Sequence, residues 1–156
     1  MSARLKQAAV ILVALFALAQ LVRPLHAKPT TDSSRTIQAH LEQGSELGAV
    51  LDRSCGNCHT NAAAWPWYAR IAPVSWLIAN GVREGRDAVN FSEWAGYSPS
   101  QQRTLLAASC QDVREGRMPD RLYTMLRPEA RMSEQDVEML CTAARQAEGL
   151  PARGQP

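Results

Sequence analysis

Residues 55–59 read Cys-Gly-Asn-Cys-His, and no other stretch limits the fold of this chain as strongly. Two cysteines three positions apart bring both thiols to one backbone turn, and a histidine directly behind them adds an imidazole at the same place. This order of residues is that of covalent haem attachment. Each thiol adds to one vinyl group of the porphyrin, and the imidazole turns under the iron as proximal ligand. Gly56 and Asn57 both tolerate positive φ and suit a tight backbone between the cysteines. Two rival readings use the same residues. A zinc site needs four ligands, usually with a second Cys or His pair at short spacing. The remaining cysteines, Cys110 and Cys141, and the remaining histidines, His26 and His40, stand alone. A thiol oxidoreductase needs a βαβ pattern around C-x-x-C, and none is visible.

The N-terminus fixes the expected compartment. Arg4 and Lys6 precede an apolar run from Ala8 to Val22 that only Gln20 interrupts, and Leu25-His26-Ala27 offers a cleavage site. Residues 1–27 therefore read as a secretory signal peptide or an uncleaved signal anchor. The run is short for a membrane span, which needs about 20 residues, so residues 8–22 are at most a possible tether. The expected location is periplasmic, secreted or on the outer face of the cytoplasmic membrane, where c-type haem is attached and disulfides persist. With Arg4, Lys6 and Arg23 set aside, 14 basic side chains remain against 15 acidic ones, a net charge of −1. Nothing in that balance argues for nucleic acid.

The 156 residues suit one domain with a leader. Residues 28–36, rich in Ser and Thr, read as a flexible linker, residues 37–150 as the domain and 151–156 as a flexible tail. A loosely periodic helix over about 37–54, weakened by Gly44 and Gly48, delivers the chain to Cys55. All four tryptophans lie between residues 65 and 94, a crowding that suits the wrapping of a flat, bulky group or ordinary core packing. Trp65, Trp67 and Tyr68 are expected in the wall of the haem site. The carbonyl of Pro66 or Pro73 is expected to accept the Nδ1–H of His59. Pro73 opens a helix whose apolar stripe is Val74, Leu77, Ile78 and Val82. Asn90 to Trp94 form a turn that closes the core. Ser98, Pro99 and Gln101 open the next helix with a capping box, and Gly116 ends it. A last helix starts at Ser133, buries Val137, Leu140, Cys141 and Ala144, and ends at Gly149 and Pro151. No strand pattern is convincing, so the expected class is all-α.

A methionine thioether is a common second axial ligand and raises the iron potential. Met139 is explained by a helix face, Met132 by a hydrophobic staple and Met125 by its pairing with Leu126. Met118 sits in a turn stiffened by Pro119 and is the expected sixth ligand, with gap-filling as the plainer role. Cys110 and Cys141 each lie on the apolar stripe of a helix, so a disulfide and two buried thiols are both open.

Several long motifs carry a resemblance. They are Cys55 to Asn61; Trp65-Pro66-Trp67-Tyr68; Ile71 to Ile78; Val82 to Arg86; Asn90 to Trp94; and Gly116-Arg117-Met118-Pro119 with Tyr123, Leu126 to Ala130 and Ser133. Over roughly residues 45–147 the chain resembles the bacterial haem-binding domain family of c-type cytochromes. The resemblance implies a small monohaem protein, secreted or membrane-tethered, with a cytochrome c-like helical arrangement. Cys110 and Cys141 are not part of its pattern. The expected cofactor is one covalent haem c, held by Cys55, Cys58 and His59 with Met118 opposite. The expected role is single-electron transfer to redox partner proteins, not enzymatic catalysis. The alternatives are a haem sensor or peroxidase-like enzyme with an open sixth site, and a C-x-x-C thiol oxidoreductase without haem.

Overall fold

A computed structural model describes residues 2–24, 26, 28–42 and 44–149. The expected tail, Pro151 and residues 25 and 27 of the cleavage site lie outside the described residues. Among the described residues the chain is helical and contains no strand. Its α-helices are α1 (Ala3–Ala19), α2 (Glu46–Ser54), α3 (Gly56–His59), α4 (Val74–Ala88), α5 (Pro99–Arg114), α6 (Arg121–Leu126) and α7 (Glu134–Gly149), joined by short 3-10 turns.

The core lies where α2, α5, α7 and the segment Phe91–Gly96 meet. Ile37, Leu47, Leu51, Val89, Phe91, Trp94 and Leu140 are buried there, with Leu105, Leu106, Val113, Met132 and Met139 packed against them. Apolar area removed from water at this junction is the main force holding the helices together. Met132 and Met139 thus have the packing roles expected of them. The α5–α7 pair is also joined covalently: Cys110 and Cys141 form a disulfide with their Cα atoms 4.9 Å apart.

The helix ends of α5 and α7 follow from local chemistry. Ser98 Oγ accepts from Gln101 N while Gln101 Oε1 accepts from Ser98 N, with Pro99 at the first position. Gly116, at φ +68°, ends α5 in the left-handed region open to glycine. At α7, Ser133 Oγ accepts from Asp136 N, and Asp136 Oδ2 accepts from Ser133 N at 2.8 Å.

Two expectations need correction, that of a single helix over 37–54 and that of the α4 stripe. The single helix over 37–54 is two elements. A 3-10 turn covers Ile37–His40, the chain reverses through Gly44 at φ +73°, and Ser45 then caps α2 by accepting from Gly48 N. Gly44 is thus a turn residue rather than a weak helical one. The stretch 28–36 follows the domain surface: Asp32 caps the turn Ser33–Arg35, Thr30 O accepts from Asn61 Nδ2, and Arg35 pairs with Glu93. The expected stripe of α4 is only half buried as drawn. Ser75, Val82 and Gly85 face inward, while Val74 and Leu77 are exposed.

Of the expected leader, residues 3–19 form α1, which has no buried residue. No described helix is long and apolar enough to cross a membrane, so the anchoring form of that expectation gains no support.

Candidate functional site

Cys55 ends α2, and the next four residues make the single turn α3. The turn closes because Cys58 N and His59 N both donate to Cys55 O, at 3.1 and 3.0 Å. Neither Gly56 nor Asn57 has positive φ, so the left-handed role expected of them is wrong. Asn57 instead uses its side chain, whose Oδ1 accepts from Ala64 N at 2.7 Å and folds the following loop back on α3. Thr60 Oγ1 donates to Gly56 O at 2.6 Å and accepts from Ala62 N, tightening the same loop.

Helix α4 presses directly on this turn. Gly85 is buried, and a Cβ there would lie 2.9 Å from the Cys58 carbonyl oxygen and 3.2 Å from Cys58 Cβ. Only hydrogen fits at that contact. Arg86 Nε donates to Thr60 O on the next turn.

His59 is oriented by backbone. Its Nδ1 lies 3.1 Å from the Val89 carbonyl. A carbonyl can only accept, so Nδ1 carries the hydrogen and Nε2 keeps its lone pair. The acceptor is Val89, at the end of α4, and not Pro66 or Pro73 as the sequence suggested. Burial holds the imidazole pKa below its ordinary value, against the opposing pull of the Val89 carbonyl. The ring is therefore neutral at pH 7, the form that binds a metal ion. Cys55 and Cys58 are free thiols. Burial pushes the Cys55 thiol up to about 12 and raises Cys58 as well. A reactive dithiol has the opposite shift. Among the described residues no group of three or more His, Cys, Asp and Glu could hold a metal ion, so the zinc reading finds no second ligand pair.

Tyr123 and Arg127 line one cavity together with Gly56 and Asn57 of this turn. Besides burial, the Asp120 charge adds to the rise at Cys58, and the Asp112 charge opposes the lowering at His59. Arg117 N and Met118 N both donate to Asp112 O, at 2.9 and 3.2 Å, and the Arg117 guanidinium grips Asp112 Oδ1 at 2.6 and 2.8 Å. The backbone of Met118 is thus tied to the last turns of α5. Asp120 then caps α6, accepting from Leu122 N and Tyr123 N. Neither α6 nor Asp120 was expected from the sequence. The signal was there as Pro119-Asp120, a proline followed by a strong N-cap residue.

The aromatic residues divide. Tyr68 is half-buried. Trp67 stands edge-on to Tyr68 and is 75% exposed. Trp65 is half-buried against His26, with ring centroids 4.4 Å apart. Trp94 belongs to the core, beside Phe91 and Tyr97. The crowding of tryptophans therefore serves two places.

Two features fit a flat, apolar ring bearing carboxylates. Outside α1 and its end, the large apolar side chains left exposed fall in two runs, Trp67 to Leu77 and Met118 to Leu126. Uncovered apolar patches of this kind mark binding surfaces. A cavity of about 390 Å³ lies against the turn, lined by Gly56, Asn57 and Tyr123, and a second of about 510 Å³ lies along α4, lined by Trp65, Val82 and Arg86. Within the second wall the Trp65 Nε1–H is buried without an acceptor. A carboxylate would satisfy it.

Comparison with known proteins agrees. The model of the haem-binding domain family matches residues 14–146, most of the chain, and the protein belongs to that family. No curated protein and no solved structure matches it.

Proposed function

We propose that this member of the haem-binding domain family is a monohaem c-type cytochrome, an electron carrier rather than an enzyme, working outside the cytoplasmic membrane. The observation that carries the reading is His59. Its Nδ1–H is committed to the Val89 carbonyl and its Nε2 lone pair is left available, directly behind two free thiols. A hydrogen bond of this kind fixes ring orientation and raises ligand basicity.

In this reading Cys55 and Cys58 hold the ring by one edge through thioethers, and His59 is the proximal ligand. Met118, clamped through Asp112, is the sixth ligand. Trp65, Trp67, Tyr68 and the uncovered apolar residues exclude water, and the helices adopt a cytochrome c-like role around the ring. When bound, the haem supplies a one-electron iron couple whose potential depends on axial ligands, hydrogen bonding and burial. The nearly neutral charge of residues 28–156 suits redox partner proteins rather than a polyanion.

The test is expression in a host that matures cytochromes. A product that stains for haem on a denaturing gel supports the reading. A colourless, well-folded product overturns it. A reduced protein that ignores carbon monoxide is six-coordinate and supports electron transfer; rapid binding would point to a sensor or peroxidase-like site.

A further inference from the structure

The end of the expected leader is tied to the wall of the candidate site. Gln20 makes a paired contact with one backbone unit: its Oε1 accepts from Ala72 N at 3.0 Å, and its Nε2 donates to Ala72 O at 3.3 Å. Val22 O accepts from Trp76 Nε1 at 2.8 Å. His26 Nε2 donates to Ala69 O at 3.0 Å while its ring lies on Trp65. Pro24 lines the 510 Å³ cavity together with Trp65 and Trp76. These bonds are specific in a way that a discarded segment has no need of. Gln20 is also the polar residue that interrupts the apolar run, and its side chain satisfies two backbone groups of another segment. The family match begins at residue 14 and so includes all of these contacts.

We propose that residues 20–24 together with His26 are a retained strap that positions the Trp65–Trp76 wall and lines the cavity beside it, so that the mature protein keeps its N-terminal segment. Cleavage after Ala27 would remove the acceptor of Trp76 Nε1, both partners of Ala72 and the ring covering Trp65. Gln20, Val22 and His26 are positioning residues in this scheme. The strap rests on contacts within the chain, so it stands or falls separately from the haem reading.

The experiment uses the full-length chain matured in a cytochrome-competent host. Intact mass of the purified holoprotein is expected to include residues 20–26, and a mature chain beginning at residue 28 overturns the proposal. Haem content is read from the same spectrum as a separate mass increment. Amide exchange at Ala72 gives a second measurement. In Gln20→Ala the Ala72 amide is expected to exchange about tenfold faster, as befits loss of one hydrogen bond. In Gln20→Glu, whose carboxylate still accepts from Ala72 N, most of the protection returns. Equal exchange in the wild type and Gln20→Ala overturns the strap even if the segment is retained.

Discussion

At the residue scale, the site depends on groups that act through backbone. His59 is set by the Val89 carbonyl, a residue 30 positions away. Gly85 lets α4 approach the Cys58 carbonyl. Gly85→Ala places a methyl group 2.9 Å from that oxygen. Overpacking of this kind costs about 1–3 kcal/mol. The expected result is a lower melting temperature together with a reduced ratio of haem to protein, because the turn carrying both thiols is what must move. Unchanged values for both would show that the contact relaxes freely. Met118→Ala tests the sixth ligand: the expected outcome is a lower reduction potential and carbon monoxide binding absent from the parent protein. If the ligand-to-iron charge-transfer absorption is the same in both proteins, Met118 does not bind the iron.

At the element scale, helix ends were readable and helix environments were not. The capping boxes of α5 and α7 follow from residue identity and spacing alone. Asp136 also holds Arg53 at 2.9 Å, two residues before Cys55, and so couples the start of α7 to the end of α2. The Ser133 backbone N–H, with the Ser133 hydroxyl and Arg53, keeps the Asp136 carboxyl below its ordinary range. A carboxyl lowered in the folded state stabilises above its unfolded pKa, near 4, and loses that contribution as pH falls through the folded value. Asp136→Asn is therefore expected to melt below wild type at pH 7, with the gap closing below about pH 4. Melting curves across pH 3–7 check this, and a constant gap contradicts it. By contrast, the stripe Val74, Leu77, Ile78 and Val82 marked α4 as amphipathic without revealing that Val74 and Leu77 stay uncovered by protein. Periodicity reports which positions are apolar, not what they meet.

At the scale of the whole molecule, the Cys110–Cys141 disulfide staples α5 to α7 across 31 residues. Closing a loop of that length in the unfolded chain is worth about 3–4 kcal/mol. Cys110→Ser is expected to lower the unfolding free energy by about that amount, and the melting temperature with it, while haem staining persists because Cys55 and Cys58 remain. A thiol assay that finds four reactive cysteines in the unfolded apo-protein without reductant would exclude the disulfide.

The sequence by itself determined where two thiols and an imidazole share one turn, at residues 55–59, the all-helical class and the helix caps, since each depends on residue types a few positions apart. Only the tertiary structure decided which carbonyl orients His59, that Gly44 breaks the first helix, that Trp94 belongs to the core and Trp67 to the surface, and that Cys110 meets Cys141. Each of those depends on segments 30 or more residues apart, or on a turn whose direction the remaining packing selects. Local spacing carries no record of such meetings.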